Sequence, residues 1–373
     1  MTKPRPMGRS TARLIPISGV TGKGPACFLL EGGDRRILLD IGVGPDRGAA
    51  PDLSAIGRVD AVLLSHAHAD HAGGLHLLGA VGNPPVYATD ITAAQLPREW
   101  SGRLNSLPLS GQIDLFGIKL TTGRSGHAPG GVWLHLGVGN GLFYGGDMSF
   151  ESELYAIDPP PSAATAVIDA SAGLDDTPQA DRRSAMRHLL RQGDALLPVP
   201  AAGRGPEIAL FVVEEICRKP SLCPELRETV ANLCGPWRDT LRAGTADRLS
   251  FLLAMAGAVE HRWPGPRGVV IAANVMADAG ASARLLPGWL DRRDGAIVLS
   301  GYVPDDTPVG RVKGMGRAEV AGWNVHPRIS DNARLLSALG ARTAIPAFNG
   351  RVPRCDWEAA FAPAGLALGD VPV

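Results

Sequence analysis

Aromatic side chains are scarce, at 5% of the 373 residues, and lysine is scarcer, with 5 Lys against 32 Arg. Few aromatics leave few platforms on which single-stranded bases could stack. The arginine bias is what a GC-rich genome produces. Charge of one sign is also missing, because 37 Lys+Arg balance 37 Asp+Glu. That balance excludes a basic tail or domain that grips nucleic acid by bulk charge. Counted over 1–173, 174–322 and 323–373, the net charges are −2, +1 and +1. The five cysteines, Cys27, Cys217, Cys223, Cys234 and Cys355, are odd in number and form no C-x-x-C pair. A disulfide framework and a cysteine-type zinc site are thereby excluded; Cys217, Cys223 and Cys234 read as small core residues. No apolar run approaches eighteen residues and no signal-peptide core is present, so a cytoplasmic, soluble protein is expected.

What is present is ordinary globular composition, 45% apolar and 20% charged. The first 170 residues read as short apolar strands between Gly/Pro turns, among them 36–40, 61–65, 118–122, 132–136 and 142–146. A helix is expected from about Gln179 to Arg191, with Ala185, Met186, Leu189 and Leu190 on one face and Arg183, Arg187 and Arg191 on a solvated one. Strand–helix alternation follows: 195–199 into 207–217, and 268–272 into 281–290, the pattern of a parallel sheet. Residues 219–265 carry too many Pro and Arg punctuations to assign.

Directly after the apolar stretch 61–64 comes Ser65-His66-Ala67-His68-Ala69-Asp70-His71. Three histidines and a carboxylate within six residues are the borderline-to-hard donors that suit zinc or a similar divalent ion. Alternating spacing sends His66 and His68 to one side of an extended loop. Asp70 and His71, at the turn into a helix, can face a second ion. Two ions about 3.5–4 Å apart clamp both oxygens of a displacement at phosphorus or carbon. Elsewhere His76 reads as a packing or surface residue, His135 as facing solvent, and His188 and His261 have no partner pattern.

The H-x-H-x-D-H string resembles the signature of the metallo-β-lactamase superfamily. That resemblance implies an α/β fold, an αββα sandwich, with His66, His68 and His127 holding one ion, Asp70 and His71 a second, and Asp147 bridging. Asp40 would stand behind the ligands. Further on, Val167–Gly173, Leu197–Glu207 with its Gly203-Arg204 turn, Val270–Gly280, Ile297–Tyr302 and Asn324–Asp331 resemble, in order, the motifs of the β-CASP nuclease branch. This branch inserts a cap domain. The implied division is 1–173 core, 174–322 β-CASP-like cap, and 323–373 a return segment completing the core.

The branch ends on a strand followed by His-Gly, and here Phe348-Asn349-Gly350 puts Asn349 at the ligand position. An amide oxygen suits a harder ion such as manganese. The activity implied is phosphodiester hydrolysis of nucleic acid, RNA rather than DNA and single-stranded, by a water activated by two divalent ions. Zinc is the expected metal, with manganese as the alternative at the second site. Asp70, His326 and Asp169 carry the catalysis, His326 as general acid paired with Asp169. No membrane partner is implied, and a homodimer is allowed. Two other readings stay open: a hydrolase of small phosphodiesters or esters, and a degenerate, non-catalytic scaffold.

Overall fold

The computed structural model describes residues 12–46, 48–259, 267–292 and 294–373, so His261 lies outside the described residues. Strand Cys27–Gly32 shows how the layers arise. Phe28 and Leu30 enter a core shared with Leu39, Leu63 and Tyr144, while Cys27 and Leu29 pack on the opposite face with Leu38, Val62 and Leu75. A strand buried on both faces has no polar alternation, which is why these strands read in the sequence as continuous apolar runs.

Two seven-stranded sheets stack face to face. The first runs, in spatial order, Val371–Pro372, Arg13–Ser18, Cys27–Gly32, Arg35–Leu39, Ala61–Leu63, Val86–Thr89 and Asn105–Leu107. The second runs Gly365–Leu366, Thr343–Ala347, Thr165–Asp169, Leu142–Tyr144, Val132–Leu136, Ile118–Arg124 and Gly111–Leu115. The 3-10 helix Gly73–Val81 covers the outer face of the first sheet. Helices Ile329–Leu339 and Arg354–Phe361 cover the second, over Phe143, Ala166 and Ile168. The fold is an αββα sandwich carrying an inserted α/β cap.

The third sheet is the body of that cap. It runs Gly257–Ala258, Pro220–Leu222, Val269–Ala273, Asp194–Val199, Gly295–Leu299 and Glu319–Val320, with every pairing parallel. Helices Gln179–Gln192, Arg204–Glu214, Pro224–Cys234, Thr245–Met255 and Gly280–Asp291 pack around it. Among the described residues no helix is long and apolar enough to cross a membrane.

Parallel strands collect their loops at one end, outside the carboxyl ends. In the first sheet Arg35–Leu39 runs parallel to Ala61–Leu63, and Asp40 and His66 follow them. In the second, Leu142–Tyr144, Thr165–Asp169 and Thr343–Ala347 are mutually parallel; Asp169 ends its strand, and Asp147 and Asn349 follow theirs. In the cap, Val199, Ala273 and Leu299 release loops onto the same space.

Three expectations need correction. Arg183 and Arg187 are not a solvated stripe: both ion-pair with Glu215, Arg183 also with Glu153, and both lie over the Phe211 ring. Ala185 is exposed, so Met186 and Leu190 anchor that helix. Cys217 is exposed as well, at a left-handed φ of 55° after the helix end. His76 is at the surface. His135 is half-buried, with Nε2 3.0 Å from Ser162 O.

Candidate metal centre

Strand Ala61–Leu63 leads into the buried His66, next to a cavity of about 800 Å³ between sandwich and cap that His68, Asp70, His127 and Asp147 line. His68 is the N-cap of the short helix Ala69–Ala72, whose first turn presents Asp70 and His71. From the second sheet come His127, after Ile118–Arg124, and Asp147, after Leu142–Tyr144. Donor atoms of His66, His68, His127 and Asp147 all lie within 4.8 Å of one another, and so do those of Asp70, His71 and Asp147. Asp147 belongs to both groups.

Hydrogen bonds on the far sides of the rings orient them. His127 Nδ1 lies 2.7 Å from Val325 O, so it carries the proton and leaves Nε2 to face Asp147 Oδ2 at 3.4 Å. His71 Nδ1 lies 2.7 Å from Asp40 Oδ2, and its Nε2 faces Asp147 Oδ1 at 3.2 Å. Asp40 is fully buried and also accepts from Ser65 N (2.7 Å), Ser65 Oγ (2.7 Å) and Tyr144 Oη (2.6 Å). His68 Nε2 meets Ala202 O of the cap at 3.1 Å.

Ring centroids of 4.2 Å for His66–His71 and 4.6 Å for His66–His68 leave no room for four imidazolium charges. Burial, reinforced by the neighbouring imidazoles, pushes His66 well below the ordinary histidine range. Burial likewise lowers His127 and His68, against the pull of nearby carboxylates. Burial also works to lower His71, but Asp147 and Asp40 outweigh it and raise that ring. The same pairing overcomes the burial of Asp147 and holds its carboxyl well below the usual carboxylate range. The neutral imidazoles of His66, His68 and His127 beside the ionised Asp147 carboxylate are the donors a divalent cation needs, and a bound cation would displace the proton that Asp147 and Asp40 hold on His71.

Two atoms test that fit. His66 Nε2 and Asp147 Oδ1 are buried without a hydrogen-bond partner. A buried polar atom left unpaired is costly, and both belong to the ligand-type groups described above. Nitrogen and oxygen donors of this kind fit zinc or a comparable divalent ion.

His326 and Asp169 stand beside this cluster. His326 Nδ1 lies 2.8 Å from Asp169 Oδ2 and 3.8 Å from Asp147 Oδ2. Asp169 is fully buried and fixed by Met148 N (3.1 Å) and Ser171 N (3.0 Å). Asn349 follows strand Thr343–Ala347, and its Oδ1 accepts from Arg351 N at 3.0 Å within its own turn. Replacing Asn349 with Ala is therefore expected to leave the metal content of the purified protein unchanged, measured by atomic emission. Ser65 and Tyr144 escaped the sequence reading, although Ser65 adjoins His66. Neither residue type signals that it will hold Asp40.

Residues 20–199 match the Metallo-beta-lactamase superfamily. The chain carries a domain of that superfamily. It is similar to proteins named as ribonucleases and as transcription termination factors. Ribonuclease TTHA0252 of Thermus thermophilus is 28% identical over 78% of this chain and 79% of its own length. Transcription termination factor FttA of Methanosarcina mazei is 31% identical over 57% of this chain and 41% of its own. Endoribonuclease YSH1 of Yarrowia lipolytica is 22% identical over 80% and 43%. The chain thus spans about two-fifths of the FttA and YSH1 proteins. A crystal structure of a protein of unknown function from Enterococcus faecalis shares the fold over 98% of this chain, with a TM-score of 0.60 at 13% identity.

Proposed function

We propose that the protein is a metal-dependent phosphodiesterase that cleaves RNA. The observation that carries the reading is the convergence of His66, His68, His71, His127, Asp70 and Asp147 in one cluster around Asp147, two of their buried atoms unpaired, beside the His326–Asp169 pair. Names of the relatives supply the substrate class, as ribonuclease and endoribonuclease.

Divalent ions bound by these residues would supply a water of lowered pKa and neutralise charge on the phosphate. The chain's own groups do the rest. Asp40 holds His71 by its Nδ1 proton, which keeps Nε2 free as a donor atom. Val325 O does the same for His127. Asp169 holds His326 by Nδ1, so the opposite nitrogen points away from the carboxylate and, when the ring is an imidazolium, gives its proton to the leaving oxygen.

The finer parts of the proposal are a single-stranded substrate, zinc as the metal, cytoplasmic action and, where the chain self-associates, a homodimer. We also retain the division into core 1–173, cap 174–322 and return segment 323–373, which the hydrophobic core around the third sheet, drawn mostly from 174–322, supports.

The test is cleavage of end-labelled single-stranded RNA and DNA, beside a bis-aryl phosphodiester, with zinc or manganese. The reading expects RNA cleavage that His68→Ala abolishes. Turnover of the aryl ester with no polymer cleavage under either metal would replace RNA with a small substrate.

A further inference from the structure

Arg204 opens helix Arg204–Glu214 and is 9% exposed. Its Nε donates to Ser300 Oγ at 2.9 Å. Among the described residues its two terminal NH2 groups meet no carboxylate and no carbonyl, and Arg204 lines the cavity that holds the candidate metal centre. The nearest acid on its own helix does not compensate it. The Glu207 carboxylate accepts from Ser152 Oγ and from Trp323 Nε1 (2.9 Å), and burial pushes its carboxyl upward. Arg182, on the same wall, differs: Asp175 and Asn324 engage it. Burial alone pushes Arg204 down to about 10, so it remains charged at neutral pH with no counter-charge. An uncompensated buried cation costs stability and serves a fold badly unless an anion completes it.

Its surroundings point to what that anion is. The helix follows strand Asp194–Val199, which lies centrally in the parallel sheet, and its N-terminus faces the crevice outside the carboxyl ends of the strands. That is where open parallel sheets take phosphates on helix N-termini. The N-cap is Gly203, at φ 111°, with no side chain to satisfy the first turn. A Cβ there would stand 3.7 Å from the His68 ring, so this turn adjoins the metal ligands directly. Opposite, a Cβ on Gly301 would come within 2.9–3.0 Å of the guanidinium atoms. The planar fork therefore has its present place only because residue 301 lacks a side chain.

We propose that Arg204 and the open first turn of its helix form a phosphate-binding subsite, which holds a phosphate of the RNA next to the one being cleaved. This rests on the nuclease reading above. A guanidinium binds phosphate through two parallel N–H bonds. The subsite lets a chain of zero net charge hold a polyanion at one concentrated point.

The experiment measures binding of a labelled single-stranded RNA by fluorescence anisotropy in EDTA, which suppresses cleavage, for the wild type, Arg204→Gln and Gly301→Ala. Arg204→Gln should raise Kd by about tenfold and reduce the slope of log Kd against log salt by about 0.7. Its Tm should equal or exceed that of the wild type, because the uncompensated charge is gone. Gly301→Ala, which keeps the charge but displaces the fork, should weaken binding too. RNAs with a 5′-monophosphate or a 5′-hydroxyl separate the two sources of phosphate. Equal weakening for both assigns an internal phosphodiester, and weakening confined to the first assigns the terminal group. Unchanged Kd and slope in Arg204→Gln, or a fall in Tm with affinity intact, would overturn the subsite. If the wild type binds no RNA, the nuclease reading fails, and inorganic phosphate then judges the subsite alone. A Tm rise with phosphate that Arg204→Gln lacks upholds it; an equal rise, or none in either protein, overturns it.

Discussion

His326→Ala is expected to lower the single-turnover rate of RNA cleavage by about 10²–10⁴-fold, the range for losing a positioned general acid, while the metal content stays at the wild-type level. The geometry gives His326 one fixed side. Its Nδ1 sits 2.8 Å from Asp169 Oδ2, and Asp169 is immobilised by Met148 N and Ser171 N at the end of a fully buried strand. The other nitrogen is left for a leaving oxygen. An aryl phosphodiester, whose leaving group needs no proton, should lose much less rate in the same variant. Metal loss in parallel with activity would instead make His326 a ligand, since Asp147, Asp169 and His326 also lie within 4.8 Å of one another.

Asp40→Ala should destabilise the protein by about 3–5 kcal/mol, the cost of breaking a buried charged network from one side. Four donors converge on that carboxylate: Ser65 N, Ser65 Oγ, Tyr144 Oη and His71 Nδ1. All four are buried, and burial together with Asp40 raises the Tyr144 phenol so that it stays a donor. Removing the acceptor strands the donors and frees the His71 ring to rotate. Urea unfolding should show a lowered midpoint, and the folded fraction should bind metal more weakly. A midpoint equal to the wild type would mean that Asp40 does not organise the site.

Much of the site was legible because its donors are crowded into one string after a strand, where spacing alone sets direction. His127, Asp147, Asp169 and His326 lie far apart in the chain, and only resemblance joined them to it. The strands of the sandwich were legible as apolar runs because both faces are buried. Residues 219–265 were not, and the reason is local. Pro224 reads as a breaker, yet it occupies the first turn of helix Pro224–Cys234, where its missing N–H is harmless, and Leu226, Val230 and Leu233 are buried beyond it. The arginine stripe misled because its partners, Glu215 and Phe211, sit on another helix. Cys217 misled because a helix end turned it outward. Asn349 was placed by analogy alone, and its oxygen also closes its own turn. Arg204 stood in a quoted motif without a role, since nothing in a sequence says that a charge has no partner.

The central claim is that the His/Asp cluster holds the ions on which RNA cleavage depends. Its most direct test is reconstitution: protein stripped with a chelator, dialysed, and titrated with zinc or manganese while bound metal and RNA cleavage are followed together. The account predicts no cleavage in the stripped protein, and activity that returns in step with about two bound ions per chain in the wild type but not in His68→Ala. Cleavage that persists in the stripped protein, or that returns equally in His68→Ala, would contradict it.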